Sequence, residues 1–303
     1  MKLDDAGLLR LMPVVFVLIW STGFVVARFG MPHAPPLAFL SVRYALSILA
    51  FCAWVAWARA AWPRGQRQWL HLSVTGVLMQ AGYLGGVWVA VKGGLGAGMA
   101  ALLVGLQPIL TALWLSAQGS SHHVGMRQWL GLVLGLAGLV LVVGHKLRLG
   151  EASPANVAAG LFALLSITAG TLYQKRWVQP CDVRTANTVQ LLAALVVTLP
   201  LAWLEDGPVQ LHPELVAAMA WSVLVLTLGG SSLLYLLIQR GAATAVTSLM
   251  YLVPPTTALM AWALFGETLS PSVLAGLALA AAGVALVVRA PGTAVGKFTE
   301  EKT

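Results

Sequence analysis

The stretch "GLVLGLAGLVLVV", residues 131–143, recurs in altered form as "GLALAAAGVALVV", residues 276–288. In this alignment Gly138 of the first copy falls on Gly283 of the second. Both copies are apolar and rich in small residues, and such self-similarity at a long separation is typical of a chain built from internal repeats. We therefore expect two related halves that share one architecture.

The composition places most of the chain in a membrane. Of the 303 residues, 59% are hydrophobic and 9% are charged, whereas soluble proteins carry about 25% charged residues. A membrane-spanning helix needs about 20 mostly apolar residues, and ten runs approach this length. These runs are 11–29, 37–58, 69–91, 96–117, 127–145, 156–175, 185–204, 214–238, 243–264 and 271–289. The sequence predicts an all-α integral membrane protein with ten transmembrane helices.

The number of spans in each half fixes how the halves are related. Residues 1–150 hold five spans, and residues 151–303 hold the other five. Because five is odd, the second half enters the membrane in the opposite direction to the first. This is the inverted-topology repeat of many secondary transporters, whose substrate sites lie between the repeats near the middle of the bilayer. Each half is thus predicted to be one five-helix repeat.

The basic residues are distributed unevenly between the two sides of the membrane. Thirteen of the 18 Lys and Arg residues fall on the side that carries both chain ends. By the positive-inside rule that side is cytoplasmic, so we expect a multi-pass protein of the cytoplasmic (inner) membrane with both termini in the cytoplasm. The rule also accounts for the net charge of +8 without a nucleic-acid partner. The expected partners are lipid and a small-molecule solute, and the expected unit is a monomer.

Four longer motifs belong to a recognisable pattern. They are "WSTGFVVARFG" (20–30), "SVRYALS" (41–47), the segment 90–114 that contains "KGGLGAGMAALLVGLQP", and the segment 237–288 that contains "LVPPTTALMAWALFGETLSPS". This pattern resembles the drug/metabolite transporter superfamily, in its bacterial ten-span form with two EamA domains. The resemblance covers nearly the whole chain. It implies transport of small metabolites or drugs across the inner membrane, often efflux of amino acids or related compounds.

One motif of that superfamily is present in only one half. The second half has the Gly-Glu turn at Gly266–Glu267, before the last span. The first half reads "AQGSSHHVGMRQ", residues 117–128, at the corresponding place. A role for the glutamate is therefore expected in the second half alone. The alternative to a functional role is a structural role in the hairpin before the last span.

A glutamine and a proline interrupt the apolar run "GLQPILTALW", residues 105–114. Proline has no N–H and breaks the helical hydrogen-bond ladder, and a carbonyl freed within lipid must find a partner or line a cavity. Pro254, followed by Pro255, occupies the matching place in the second half. We expect hinges at Pro108, Pro254 and Pro255, with the polar amide of Gln107 present in one half only.

Neutral polar side chains recur at helical spacing along the third, sixth, eighth and ninth spans. Such stripes either pack helices together or line a cavity, and the bulky Tyr and Gln on them favour a cavity. An uncharged aromatic lining suits a neutral or zwitterionic solute such as an amino acid. The residues expected to line the cavity are Trp20, Gln80, Tyr83, Gln107, Thr168, Tyr235, Ser248 and Tyr251.

Charged residues are nearly excluded from the spans. All ten acidic residues lie in tails, loops or span ends, so the sequence offers no midplane carboxylate for proton coupling. Arg43 is the most deeply placed charge, and its side chain either snorkels to the outer interface or binds a substrate carboxylate. The six His also lie in loops or at span ends, and we predict no metal site and no cofactor.

These features predict a secondary transporter that exports a small neutral or zwitterionic metabolite, such as an amino acid, by alternating access. A multidrug or other organic-compound efflux carrier is the alternative. A nucleotide-sugar or phosphate carrier is less favoured because it needs several buried Arg or Lys. A membrane enzyme is disfavoured because the spans contain no paired carboxylates and no His cluster.

Overall fold

The computed structural model describes residues 5–117, 126–148, 152–230, 233 and 252–288. Every regular element in this part of the chain is a helix, as the sequence predicts. The helices are α1, Asp5–Gly30; α2, Pro36–Ala58; α3, Gln66–Lys92; α4, Ala97–Val104; α5, Gln107–Ala117; α6, Met126–Arg148; α7, Pro154–Trp177; α8, Val183–Ala202; α9, Pro213–Gly230; α10, Val253–Phe265; and α11, Pro271–Val288.

Many of these helices are suited to lipid. Helices α2, α3, α7, α8 and α9 are long and apolar enough to cross a membrane. Shorter apolar helices of 10–17 residues lie within α1, α6, α10 and α11 and across the junction of α4 with α5. The surface of the bundle is also apolar: Leu49, Val140 and Val196 are each more than 60% exposed. Such a surface is favourable only against hydrocarbon.

Local sequence signals begin several of the helices. Pro36, Pro154 and Pro213 lie in the first turns of α2, α7 and α9, where a missing N–H costs nothing. The Ser153 side chain caps α7 by accepting a hydrogen bond from the Asn156 N–H at 3.2 Å. Asp182 caps α8 in the same way through the Arg184 N–H at 2.9 Å.

Helices of the two sequence halves pack against each other throughout the bundle. α6 packs on α11, α2 on α8, and α4 on α10. The contact between α3 and α7 is matched by the contact between α9 and α1. Likewise, the contact between α3 and α8 is matched by the contact between α9 and α2. Each half therefore buries its apolar faces largely against the other.

The contact between α6 and α11 depends on glycines. A Cβ atom on Gly276 would lie 2.7 Å from the Gly138 carbonyl oxygen, and one on Gly283 would lie 2.6 Å from the Gly135 nitrogen. Gly283 also lies directly against the carbonyl of Gly131. Side chains of any size at these positions would force the two backbones apart, so glycine here permits close helix packing.

Hydrogen bonds join the loops at one end of the bundle, which we call the first-loop end (residues 31–35, 93–96, 203–212 and 266–270). The Lys92 ammonium donates to the Met31 carbonyl at 2.6 Å, and Asn156 donates to the carbonyl of Gly93 at 2.5 Å. The Leu37 N–H donates to the Glu205 carboxylate at 2.9 Å. These bonds connect the loops of both sequence halves.

The opposite end of the bundle is joined by a second set of bonds. Gln68 donates to the Gln179 carbonyl at 2.8 Å and accepts from the Gln179 N–H at 3.1 Å. The Thr185 hydroxyl donates to the Ala61 carbonyl at 3.1 Å. The polar middle of the bundle lies between these two sets of hydrogen bonds.

Candidate functional site

Two helices depart from α-helical geometry where the polar side chains gather. α3 contains a π-helical segment at Val77–Leu84, and α9 contains one at Trp221–Gly230. π-Helical turns are rare and occur frequently at functional sites. Gln80 and Tyr83 lie in the first segment, and Thr227 lies in the second. Side-chain periodicity carries no signal for such a turn, so the sequence does not reveal it.

Arg43 is held inside the bundle by α9. Its side chain is 7% exposed, and its Nε and Nη2 atoms donate to the Thr227 hydroxyl at 3.3 and 3.1 Å. The same hydroxyl donates to the Ser222 carbonyl at 2.8 Å. Arg43 thus does not snorkel to the interface, and Thr227 is a contact that the sequence reasoning missed.

Aromatic and hydroxyl groups surround this arginine. The Tyr44 and Tyr83 hydroxyl groups lie within electrostatic range of the guanidinium, and both side chains are buried. The Tyr44 hydroxyl also donates to the Gln80 carbonyl at 2.8 Å, which fixes α2 against the π-helical segment of α3. The predicted residue Tyr83 is therefore placed beside the one charge buried among the described residues.

Gln107 lies in a second polar contact, between α5 and α7. Its Nε2 atom donates to the Thr171 hydroxyl at 2.9 Å, and that hydroxyl donates to the Ile167 carbonyl at 2.7 Å. Both side chains are half-buried. The amide is thus fixed by a neighbouring helix while part of its surface stays accessible.

The predicted proline positions each begin a helix. The fourth span is divided at Gly105 and Leu106, and Pro108 is the second residue of α5. Pro254 is likewise the second residue of α10. A Cβ atom on Gly105 would lie 2.6 Å from the Pro254 Cγ atom, so Pro254 packs against the break between α4 and α5. Pro255 follows in α10 and is half-buried.

Part of the polar stripe on α7 serves helix packing. A Cβ atom on Gly82 would lie 2.8 Å from the Ser166 hydroxyl, and one on Gly170 would lie 2.6 Å from the Met79 Cγ atom. The Tyr173 hydroxyl is hydrogen-bonded to His71 at 2.8 Å. These contacts join α3 to α7, as expected for small and polar residues between membrane helices.

Trp20 and Thr168 lie on helices that share a neighbour. Trp20 is half-buried and its ring lies 5.5 Å from that of Phe16. Thr168 is buried and donates to the Leu164 carbonyl at 2.7 Å. Their helices, α1 and α7, both pack against α4. The other three residues predicted to line the cavity, Tyr235, Ser248 and Tyr251, lie outside the described residues.

Glu267 has a defined partner in the other half of the sequence. Its Oε1 atom accepts a hydrogen bond from the Ala97 N–H at 2.9 Å, and its carboxylate lies against Gly96. A carboxylate at a helix N-terminus satisfies a free N–H and is favoured by the helix dipole. Glu267 therefore caps α4 from the loop before α11, which is a structural role.

A small crevice below Glu267 lies apart from the predicted cavity. It is lined mostly by apolar residues of α4, α6, α10 and α11, among them Met99, Val142 and Leu277. It includes none of the residues predicted to bind substrate. We therefore assign no transport role to it.

His33, His212 and Glu214 form a cluster at the first-loop end. The His33 Nε2 atom and a Glu214 oxygen are 2.8 Å apart, and the two imidazole rings stack at 4.2 Å. All three ligand atoms lie within 4.8 Å of one another. The His212 Nδ1 atom already accepts from the Glu214 N–H at 3.3 Å, so the cluster is accounted for as a contact that joins two loops.

The structure is thus a bundle of apolar helices that encloses hydroxyl groups, amides and one guanidinium, an arrangement typical of membrane transport proteins. Residues 9–144 and 155–289 each match the EamA-like transporter family. The chain belongs to this family, and its partners are accordingly a membrane and a small-molecule solute. Because the family consists of transporters, membership also places the chain among transport proteins.

Relatives of known name share most of their length with this chain. A "Probable amino-acid metabolite efflux pump" of Salmonella typhimurium is 27% identical over 281 residues, which cover 89% of this chain and 91% of that protein. The "Uncharacterized inner membrane transporter YedA" of Escherichia coli K12 is 28% identical over 269 residues, or 87% of this chain and 85% of that protein. A transporter of Archaeoglobus fulgidus is 24% identical over 266 residues.

The fold also has a counterpart among solved structures. A crystal structure aligns with a TM-score of 0.64, covering 91% of this chain and 96% of the other, at 18% sequence identity. At this identity the likeness concerns the fold alone. It extends over nearly the whole of both chains.

Proposed function

We propose that the chain is an alternating-access exporter that moves a small neutral or zwitterionic metabolite, such as an amino acid, across the cytoplasmic membrane. Residues 1–150 and 151–303 would form two five-helix repeats of opposite orientation, ten spans in all. Both termini would lie in the cytoplasm, and the monomer would be the working unit. The first-loop end would then face the outside.

The pairing of the glycines between α6 and α11 is the observation that carries the inverted repeat. In the sequence alignment Gly131 corresponds to Gly276, and Gly138 corresponds to Gly283. The contact of Gly138 with Gly276 is therefore the counterpart of the contact of Gly283 with Gly131. A two-fold axis that exchanges the two halves would also exchange these two contacts. The matched helix pairs elsewhere in the bundle support the same axis.

The packing of Pro254 against Gly105, at the break between α4 and α5, supports a moving junction at that axis. Pro108 and Pro254 correspond in the repeat, and each is the second residue of a helix. Interrupted helices are where transporters of this construction bind substrate and change orientation. Gln107, beside one of these interruptions, would supply a hydrogen bond to the solute.

The polar interior supports a neutral or zwitterionic solute. The described polar groups are amides, hydroxyls and one guanidinium, at Gln80, Gln107, Tyr83, Thr227 and Arg43. A single positive group can neutralise one carboxylate but not a pyrophosphate. The name of the Salmonella relative supports the amino-acid class, whereas a multidrug carrier remains the second candidate because aromatic linings also accept hydrophobic compounds.

The direct test is transport by the purified protein in proteoliposomes loaded with a mixture of amino acids and hydrophobic cations. Release of at least one amino acid, faster than from protein-free vesicles, is the expected result. Gln107→Leu should raise the KM for that amino acid while the protein remains folded. Release of hydrophobic cations without any amino acid would favour the multidrug carrier and contradict the proposal.

A further inference from the structure

Arg43 carries a buried charge that no described carboxylate balances. It is 7% exposed and lies among Thr227, Tyr44 and Tyr83, all of which are neutral. An ionised side chain within a membrane costs several kcal/mol unless it is paired. An ionisable residue buried within a membrane therefore marks a functional site.

Four carboxylates of the described chain are engaged elsewhere, and that of Asp206 is exposed at the first-loop end. Glu205 accepts from the N–H groups of Leu37 and Ala38 at the start of α2, and Glu267 accepts from that of Ala97. Asp182 is paired with Arg184, and Glu214 with His33. Residues 231–251, which complete the eighth and ninth predicted spans, contain no Asp or Glu at all.

Two buried hydroxyl groups on the helices that carry Arg43 and Thr227 have no partner among the described residues. Ser47 and Ser222 are both 0% exposed, and the Oγ atom of each is buried without a hydrogen bond. Ser47 lies one helical turn after Arg43 on the same face of α2. Ser222 supplies the carbonyl that accepts from Thr227. Buried polar atoms are nearly always satisfied, so these two hydroxyls have hydrogen-bonding capacity for a molecule bound between α2 and α9.

We propose that Arg43 binds the carboxylate group of the transported solute, with Ser47 and Ser222 as additional donors. This inference rests on the proposed function, since it assigns the substrate class of the same carrier. Thr227 holds Nε and Nη2 from one side, and the planar guanidinium presents its remaining N–H groups as a fork that matches a carboxylate. The site therefore selects solutes that have a carboxylate over amides or amines with the same side chain.

The test compares matched solutes in proteoliposomes. Vesicles with the wild-type chain are loaded with equal concentrations of leucine, methionine and phenylalanine together with their three amino amides, and release is followed by mass spectrometry. The proposal predicts that the released amino acids leave about tenfold faster or more than their amides, from the loss of one charged hydrogen bond. Arg43→Gln should abolish this preference, whereas Arg43→Lys should keep part of it.

Control variants separate the carboxylate site from general damage. Arg28→Gln removes a different arginine, which lies over the Phe265 ring at 6.0 Å, and should leave the preference unchanged. Thr227→Val keeps the Arg43 charge but removes its hydroxyl partner, and should reduce the preference. Thermal unfolding of the purified variants with and without millimolar amino acid provides a second measurement that does not depend on transport.

Each outcome decides between the two proposals. If amides leave as fast as amino acids, or if Arg43→Gln keeps the preference, the carboxylate site is overturned while the carrier function stands. If wild-type vesicles release neither the amino acids nor their amides, both the proposed carrier function and the proposed carboxylate site are contradicted. Wild-type stabilisation by amino acids but not by amides, lost in Arg43→Gln, would support the site independently.

Discussion

Gly105 lies directly against Pro254: a Cβ atom on residue 105 would stand 2.6 Å from the Cγ atom of the proline. Gly105 is the residue at which the fourth span is interrupted, and Pro254 lies at the start of α10. The contact brings the break between α4 and α5, in one half of the sequence, against the start of a helix in the other half. Because the proline ring is tied to its backbone, it cannot yield as a flexible side chain would.

Gly105→Ala should therefore destabilise the protein and slow transport. Overpacking of this kind costs about 1–3 kcal/mol, so the unfolding temperature in detergent should fall. The double variant Gly105→Ala/Pro254→Ala removes the Cγ atom and should recover part of the loss, which a double-mutant cycle measures. Additive effects of the two substitutions would show that the residues are not in contact.

Gly138→Ala should weaken the contact between α6 and α11, because a methyl group there meets the carbonyl of Gly276. We expect a cost of about 1–3 kcal/mol. Gly144→Ala is the matched control, since it lies in the same helix with nothing within 4 Å of its Cβ position. The control should be neutral or slightly stabilising, as alanine favours helix. Equal unfolding temperatures for the two variants would contradict the close packing.

Glu267→Ala should destabilise the protein by about 1 kcal/mol through loss of the cap on α4. The carboxylate bonds to the Ala97 N–H at 2.9 Å, so Glu267→Gln should cost less than Glu267→Ala. Asp206→Asn, at an exposed position of the same end, is the control and should have no effect. If Glu267→Gln abolished transport without changing stability, the glutamate would have a functional role in place of this structural one.

Cys181 reports which face of the membrane the chain ends occupy. Burial, with the nearby Asp182 carboxylate, raises the pKa of the thiol, although the Gln68 amide acts in the opposite direction. At a given pH less thiolate is present than for a free cysteine, so maleimide labelling should be slow near neutral pH and accelerate as the pH rises.

The labelling experiment uses an impermeant maleimide and a Cys52→Ser background. With cytoplasmic termini, Cys181 should react in inverted membrane vesicles and not in right-side-out vesicles. Cys181→Ser in the same background should remove the signal. Reaction in right-side-out vesicles alone would reverse the proposed orientation.

Sequence periodicity and spacing predicted much of the fold because lipid imposes strong constraints. Apolar runs had to be helices, because a chain in lipid must satisfy its own backbone hydrogen bonds, whereas the matching prolines Pro108 and Pro254 were a weaker signal, since Pro200 lies inside α8. The structure adds that Pro108 and Pro254 each lie at the start of a helix. It also brings Gly105 against Pro254, a contact that no local sequence signal predicts.

The candidate site was only partly predictable, because its polar contacts join residues far apart in the sequence. Tyr83 and Gln107 were recognised as polar groups in apolar spans. The residues that surround the polar groups of the site were not predicted. Thr227, which accepts from Arg43, lies 184 residues away in the sequence. Nothing in the sequence distinguishes Thr171, the partner of Gln107, from other polar residues. Stripes on α3 and α7 were ambiguous for the same reason, and Ser166 and Gly170 proved to pack against α3.

Reciprocal accessibility at the two ends of the bundle tests the proposed carrier most directly. Single cysteines at Met31, buried at the first-loop end, and at Leu172, half-buried toward the other end of α7, would be introduced with Cys52→Ser and Cys181→Ser. Maleimide labelling rates are measured with and without a transported amino acid. An alternating-access carrier predicts that one rate rises while the other falls. Rates that change in the same direction, or that do not change while the solute is transported, would contradict it.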